Sequence, residues 1–174
     1  MSRRRFPARV SPPKLGALSR CWRGNQRTPR FIAPMCRDTI ECGRPPDALV
    51  MKFAINLFLI TMVTGLAEAV HFAQRHALDL VKLRTILEAD PMASDVSRIK
   101  GAKLIAEDFA VEGAISNVLE NNRLIAEAAR AAHIASPLLD VCHALYDETQ
   151  KLGLGNTDMV AVIRAIEQRT ASVL

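Results

Sequence analysis

Lys52 and Asn56 are the residues whose types and spacing point most directly to chemistry. They stand four positions apart, so on a helix they share one face. A lysine ammonium can exchange a proton with a nearby substrate oxygen. An amide one turn away can hold the substrate or the lysine in place. The bland reading is a lysine whose stem lies along apolar surface while its head reaches water, beside an amide in the first turns. These two residues by themselves leave both readings open.

Other constellations are weaker. His71, His76, His133 and His143 are too scattered for a metal set, and no cysteine pair has C-x-x-C spacing, so no metal is expected. His71 follows Glu68 by three residues and reads as an ordinary surface pair. Ser136 lacks a G-x-S-x-G setting and reads as a helix cap. Gly153-Leu154-Gly155 resembles the opening of a dinucleotide fingerprint. It lacks a third glycine and follows a helix, so it reads as a helix stop.

The element that must position Lys52 and Asn56 is a long helix over residues 47–75. No proline falls between Asp47 and Pro91, and Ala, Leu, Met and Ile dominate. Pro45 and Pro46 precede Asp47, the expected N-cap. Such a helix is about 42 Å long at about 1.5 Å per residue. Residues 53–66 are apolar nearly all round, which requires burial on most sides. A chain of 174 residues rarely surrounds a helix of that length, so a partner subunit or a second domain is the expected cover. Asn56 and Thr61 interrupt the apolar run and Glu68 and His71 end it, so no membrane span is expected.

Helical spacing continues downstream. Residues 80–88 form a helix capped by Asp79 and closed by Pro91, and residues 94–100 a short helix ended by Gly101. A wide apolar stripe runs through 109–132, with Gly113 a flaw in it or its start. Ser136-Pro137 opens a helix to about Leu152 that Gly153 stops, and Asn156 or Thr157 caps a last one to about Arg169. No alternating run marks a strand. The expected fold is all-α, a helical bundle around one long helix.

Charge divides the chain. Residues 1–46 carry eleven basic residues against Asp38 and Glu41, a balance of +9, whereas residues 47–174 carry twelve basic against sixteen acidic, a balance of −4. The body therefore offers no nucleic-acid surface. Residues 1–46 also hold seven of the nine prolines and show no helical period or convincing strand. They read as a disordered extension, or as artefactual sequence from a wrong start codon or an upstream frameshift. A transit peptide and a basic nucleic-acid arm are the other readings. No secretory segment follows the first arginines, so free thiols in the cytoplasm are expected.

Three blocks carry a family resemblance. The first is Gly43…Lys52-x-x-x-Asn56 at the head of the long helix, with Pro46 and Ala48 where the pattern has glycines. The second is the run Asn122 to Arg130, N-R-L-I-A-E-A-A-R. The third runs from Ser136-Pro137 through Tyr146 to Gly153-Leu154-Gly155-x-x-Asp158-x-x-Ala161-Val162-Ile163. Together residues 43–170 resemble the C-terminal helical domain of the β-hydroxyacid dehydrogenases, the 3-hydroxyisobutyrate dehydrogenase-like family. The resemblance implies a fold like the C-terminal domain of 6-phosphogluconate dehydrogenase. It implies a two-domain oxidoreductase in which a Rossmann domain holds NAD or NADP and acts on a small 3-hydroxy acid. By carry-over Lys52 is the catalytic proton donor and acceptor, and Asn56 orients substrate and lysine. The cofactor-approaching Lys-Asp of the family corresponds to Glu120-Asn121, where a carboxylate cannot do the same electrostatic work. A homodimer through the long helix is also implied. No Rossmann half is present in the sequence, so residues 47–174 read as the substrate and dimerisation domain of a fragment, inactive in hydride transfer by itself. The competing reading is a non-enzymatic helical dimerisation or interaction module.

Overall fold

A computed structural model describes residues 20–22, 39–42 and 45–173, and most of the extension expected over residues 1–46 lies outside them. The body is all-α, as expected. Beside it, strand β1 (Arg20–Trp22) pairs in parallel with β2 (Thr39–Glu41), with Cys21 opposite Ile40. Runs of three residues hold too little alternation to be read as strands beforehand. Cys42, just after β2, is disulfide-bonded, which corrects the free-thiol expectation at that position.

Helix α1 spans Pro45–Arg75. Its two prolines occupy the first turn, where a missing N–H costs little, and Asp47 sits within that turn at the positive end of the helix dipole. One face is buried: Ile60, Val63, Thr64, Ala67, Val70 and His71 repeat at helical spacing and form the spine of the core. The whole helix is long and apolar enough to cross a membrane, which the shorter apolar run counted from sequence did not suggest.

Around that face pack α2 (Leu80–Ala89), α3 (Asp95–Ile105), α4 (Ile115–Ala131), α5 (Pro137–Thr149) and α6 (Ile163–Val173). Asp79 caps α2 as expected, its carboxylate accepting from Val81 and Lys82 N–H. Helix α3 does not stop at Gly101. Ser94 and Ser97 close a capping box at its head, and the buried stretch Lys100, Gly101, Lys103 and Leu104 carries it onward. Tertiary packing there outweighs the weak helix propensity of glycine. Ser136 precedes α5 but makes no side-chain cap bond, leaving Pro137 in the first turn as the start signal. After α5 the chain makes a π-turn over Gln150–Leu154, in which Gly153 takes φ +84°, a conformation that favours glycine. A 3-10 turn over Met159–Val162 then leads into α6.

Asn122 is wholly buried on the inner face of α4, and neither atom of its side-chain amide has a hydrogen-bond partner. A buried unpaired amide is costly. Asn122→Leu, of similar volume, is expected to stabilise the fold by about 1–3 kcal/mol, read as a higher melting temperature. An unchanged or lower melting temperature would show that the amide is satisfied in solution.

Candidate functional site

The sequence-derived candidates lie at the head of α1 and the middle of α4. Lys52 is on the second turn of α1 and exposed to solvent; Asn56 is one turn on and half-buried. The Asn56 amide Nδ2 donates to Asn121 Oδ1 at 3.1 Å. Asn121 in turn donates from Nδ2 to the backbone carbonyl of Asn117 at 2.7 Å, which fixes its rotamer. Two segments 65 residues apart in sequence thus meet through paired amides on the helix face that carries Lys52.

Glu120 is not part of that meeting. It is exposed and turns along α4 to Arg123, which donates to it from Nε at 2.9 Å and Nη2 at 2.6 Å. The Arg123 hydrogen bonds hold the Glu120 carboxyl below the usual carboxylate range. Adjacent helix positions point about 100° apart, so a pair such as Glu120-Asn121 cannot both face α1. The sequence alone did not say which one does. Two recesses lie away from the site. One, of about 410 Å³, is lined by His71, Gln74, Arg75, Glu167, Thr170 and Ala171. The other, of about 220 Å³, lies between α4 and α5 and includes Arg130 and His143. Neither holds Lys52 or Asn56.

His71 does not form the expected surface pair with Glu68. It is buried, with Nε2 2.8 Å from Thr170 Oγ1 of α6. Among the described residues no group of three or more His, Cys, Asp or Glu could hold a metal ion.

A second polar centre went unread in the sequence. Asp158 is wholly buried and accepts from Lys100 Nζ at 3.0 and 2.9 Å. It also accepts backbone N–H from Glu112 at 2.9 Å, Gly113 at 3.1 Å and Val160 at 3.2 Å. Lys100 Nζ reaches Glu112 as well, at 3.1 Å. Burial alone pushes the Asp158 carboxyl up, but the hydrogen bonds from Lys100, Glu112 and Gly113 outweigh it and hold it low. Asp158, not Asn156 or Thr157, caps the turn ahead of α6. The signal was available: an Asp directly before the apolar run M-V-A-V is an N-cap pattern. This centre joins α3, the loop before α4 and the turn before α6, so it shapes the body rather than the surface around Lys52.

A long helix with a lysine and an amide at its head, braced by five others, is the helical-domain architecture that the resemblance implied. The comparisons agree: residues 47–166 match the family described as NAD-binding of NADP-dependent 3-hydroxyisobutyrate dehydrogenase, and the chain belongs to that family. Its fold is similar to part of the 3-hydroxyisobutyrate dehydrogenase from Salmonella typhimurium, with a TM-score of 0.74 at 18% identity over 82% of this chain and 52% of that one. The Mycobacterium tuberculosis 3-hydroxyisobutyrate dehydrogenase gives 0.68 at 19% identity, covering 82% and 53%. In sequence, the chain is 24% identical to the cytokine-like nuclear factor N-PAC of Aedes aegypti over 72% of its own length and 22% of the relative's. It is 21% identical to the chloroplastic glyoxylate/succinic semialdehyde reductase 2 of Arabidopsis thaliana, over 79% and 38%. The chain thus spans well under half of these two curated relatives and about half of the solved chains.

Proposed function

We propose that this chain is the helical, substrate-side domain of an NAD(P)-dependent 3-hydroxyacid oxidoreductase, a fragment without its Rossmann half. Lys52 passes a proton to and from the substrate hydroxyl or carbonyl oxygen. Asn56 orients that oxygen and the lysine. Asn121 lies toward the cofactor, and Glu120, engaged by Arg123, leaves that role. The observation that carries the reading is the Asn56–Asn121 hydrogen bond, which joins two separate family segments beside Lys52. The dinucleotide supplies and accepts the hydride. Lys52, Asn56 and Asn121 offer donors that suit one edge of such a site. The pyrophosphate needs a glycine-rich strand–turn–helix, and the described residues contain none. NAD and NADP therefore remain equal choices on this half. The protein works in the cytoplasm as a homodimer through α1.

The 174-residue chain is accordingly expected to show no turnover of 3-hydroxyisobutyrate with NAD or NADP, followed by reduced-cofactor absorbance. Measurable turnover would overturn the fragment reading. One observation favours a non-enzymatic interaction module instead: Lys52 is exposed, and so is a long apolar face of α1. Activity on joining the chain to a dinucleotide-binding half separates the two readings.

A further inference from the structure

The larger of the two recesses, about 410 Å³, opens between the C-terminal ends of α1 and α6. That size suits a small molecule. Ala171 is the one wholly apolar side chain in its lining, so an apolar guest gains little there. The polar groups around it are of both kinds. Thr170 Oγ1 donates to the Ile166 carbonyl at 3.0 Å, so it accepts from His71, and Nε2 of that ring carries the hydrogen. His71 is only 9% exposed, and its Nδ1 has no partner among the described residues. In the neutral ring Nδ1 is then an acceptor. Gln74 and Arg75 follow three and four residues later, on the same side of α1. Neither side chain is engaged by another described residue. Across the recess, on α6, Glu167 accepts at Oε2 from Arg164 Nη1 at 2.8 Å. Arg75 and Glu167 thus border one recess without pairing with each other.

We propose that this recess binds a small zwitterion of the amino-acid class. The ligand carboxylate meets the Gln74 amide and the Arg75 guanidinium, whose fork of donors matches two carboxylate oxygens. The ligand ammonium meets Nδ1 of His71 and the remaining oxygen of Glu167, Oε1. Other classes fit less well. A phosphate or a dianion would face the Glu167 carboxylate with one unspent cation, because Arg164 is already shared between Glu107 and Glu167. A simple cation would face Arg75. A metal ion would find one carboxylate and one imidazole, too few to hold it. The negative end of the α1 dipole also lies here and favours an ammonium over a second anion. The acidic wall is set in advance. Arg164 holds Glu167 while bonding Glu107 at 2.8 Å and lying over the Phe109 ring at 5.0 Å. A wall fixed beforehand lowers the ordering cost of binding. Neither Lys52 nor Asn56 lines the recess, so the site is independent of the proposed oxidoreductase reading.

The test uses the full chain, isotope-labelled for NMR. It is titrated with glycine and with L-alanine, and in parallel with acetate and with methylammonium. Both amino acids are expected to give saturable shifts at His71, Gln74 and Thr170. Acetate and methylammonium each carry one half of the zwitterion and should bind more weakly by about threefold or more, the scale of an exposed charge pair. Arg75→Gln and Glu167→Gln should each weaken amino-acid binding by a similar factor while keeping the helical circular dichroism. Acetate or methylammonium binding as tightly as the amino acids would reduce the recess to a site for one charge and overturn the proposal. Shifts gathered at Lys52 and Asn56 instead would place the amino acid at the head of α1 and overturn the recess as its site. Variants that bind as tightly as the parent would do the same. No saturable shift up to about 0.1 M ligand, far above the millimolar range of a weak specific site, would overturn the proposal outright.

Discussion

Asp158→Asn is expected to destabilise the fold by about 3–5 kcal/mol, the cost of leaving one member of a buried ion pair uncompensated. Asp158 is fully enclosed, and its loss would strand Lys100, itself 8% exposed. Glu112 offers Lys100 a substitute partner at 3.1 Å but sits half in water, so it recovers only part of the loss. Three backbone N–H groups lose a charged acceptor at the same time. For a domain of this size the melting temperature should fall on the order of 10 °C. Acid dependence follows with a definite sign. The folded-state Asp158 is held below its ordinary value of 3.8, so its contribution is complete above that pH. It is lost as the pH falls toward the folded value, because the unfolded chain then binds the proton first. Urea midpoints measured from about pH 6 to about pH 2.5 should fall in the parent below about pH 4. The Asp158→Asn variant should lack that component. A melting temperature within about 2 °C of the parent would mean that water or Glu112 already satisfies Lys100.

Which features were legible beforehand follows from the range of the interactions behind them. The head of α2 could be read because Asp79 and the residues it caps are neighbours in sequence. The long helix was legible because propensity and the absence of proline beyond its first turn act over 31 residues at once. Gly101 misled because its local cost is real, whereas the burial that overrides it comes from packing against α1. Local spacing pairs His71 with Glu68, three residues away, but its partner is Thr170, 99 residues away. The site divides in the same manner. Lys52 and Asn56 share a face by helix geometry alone. The choice of Asn121 over Glu120 depended on the rotation of α4 about its axis, which no local pattern encodes. The exposed apolar face of α1 reads in the sequence simply as apolar, because a sequence does not say which of two opposite stripes the fold will use.

On the proposed reading, joining the part of the Salmonella typhimurium 3-hydroxyisobutyrate dehydrogenase that this chain does not match ahead of residue 47 should create a hydroxyacid dehydrogenase whose activity depends on Lys52. In that chimera Lys52→Ala is expected to lower kcat by about 10²–10⁴-fold, the usual range for a positioned general acid–base group. Lys52→Arg separates charge from proton transfer. Arginine keeps the positive charge and donors near the substrate but does not give up its proton, so it cannot act as the base. Its KM should stay near that of the parent chimera while kcat falls nearly as far as with Lys52→Ala. Stability serves as the control: Lys52 is exposed, so neither change should alter unfolding by more than about 0.5 kcal/mol. A lost rate would then belong to chemistry, not to folding. An active Lys52→Ala chimera would remove the lysine from the mechanism. An inactive parent chimera that still binds NADP would favour the interaction module, in which the family fold persists without its reaction and α1 serves its partner alone.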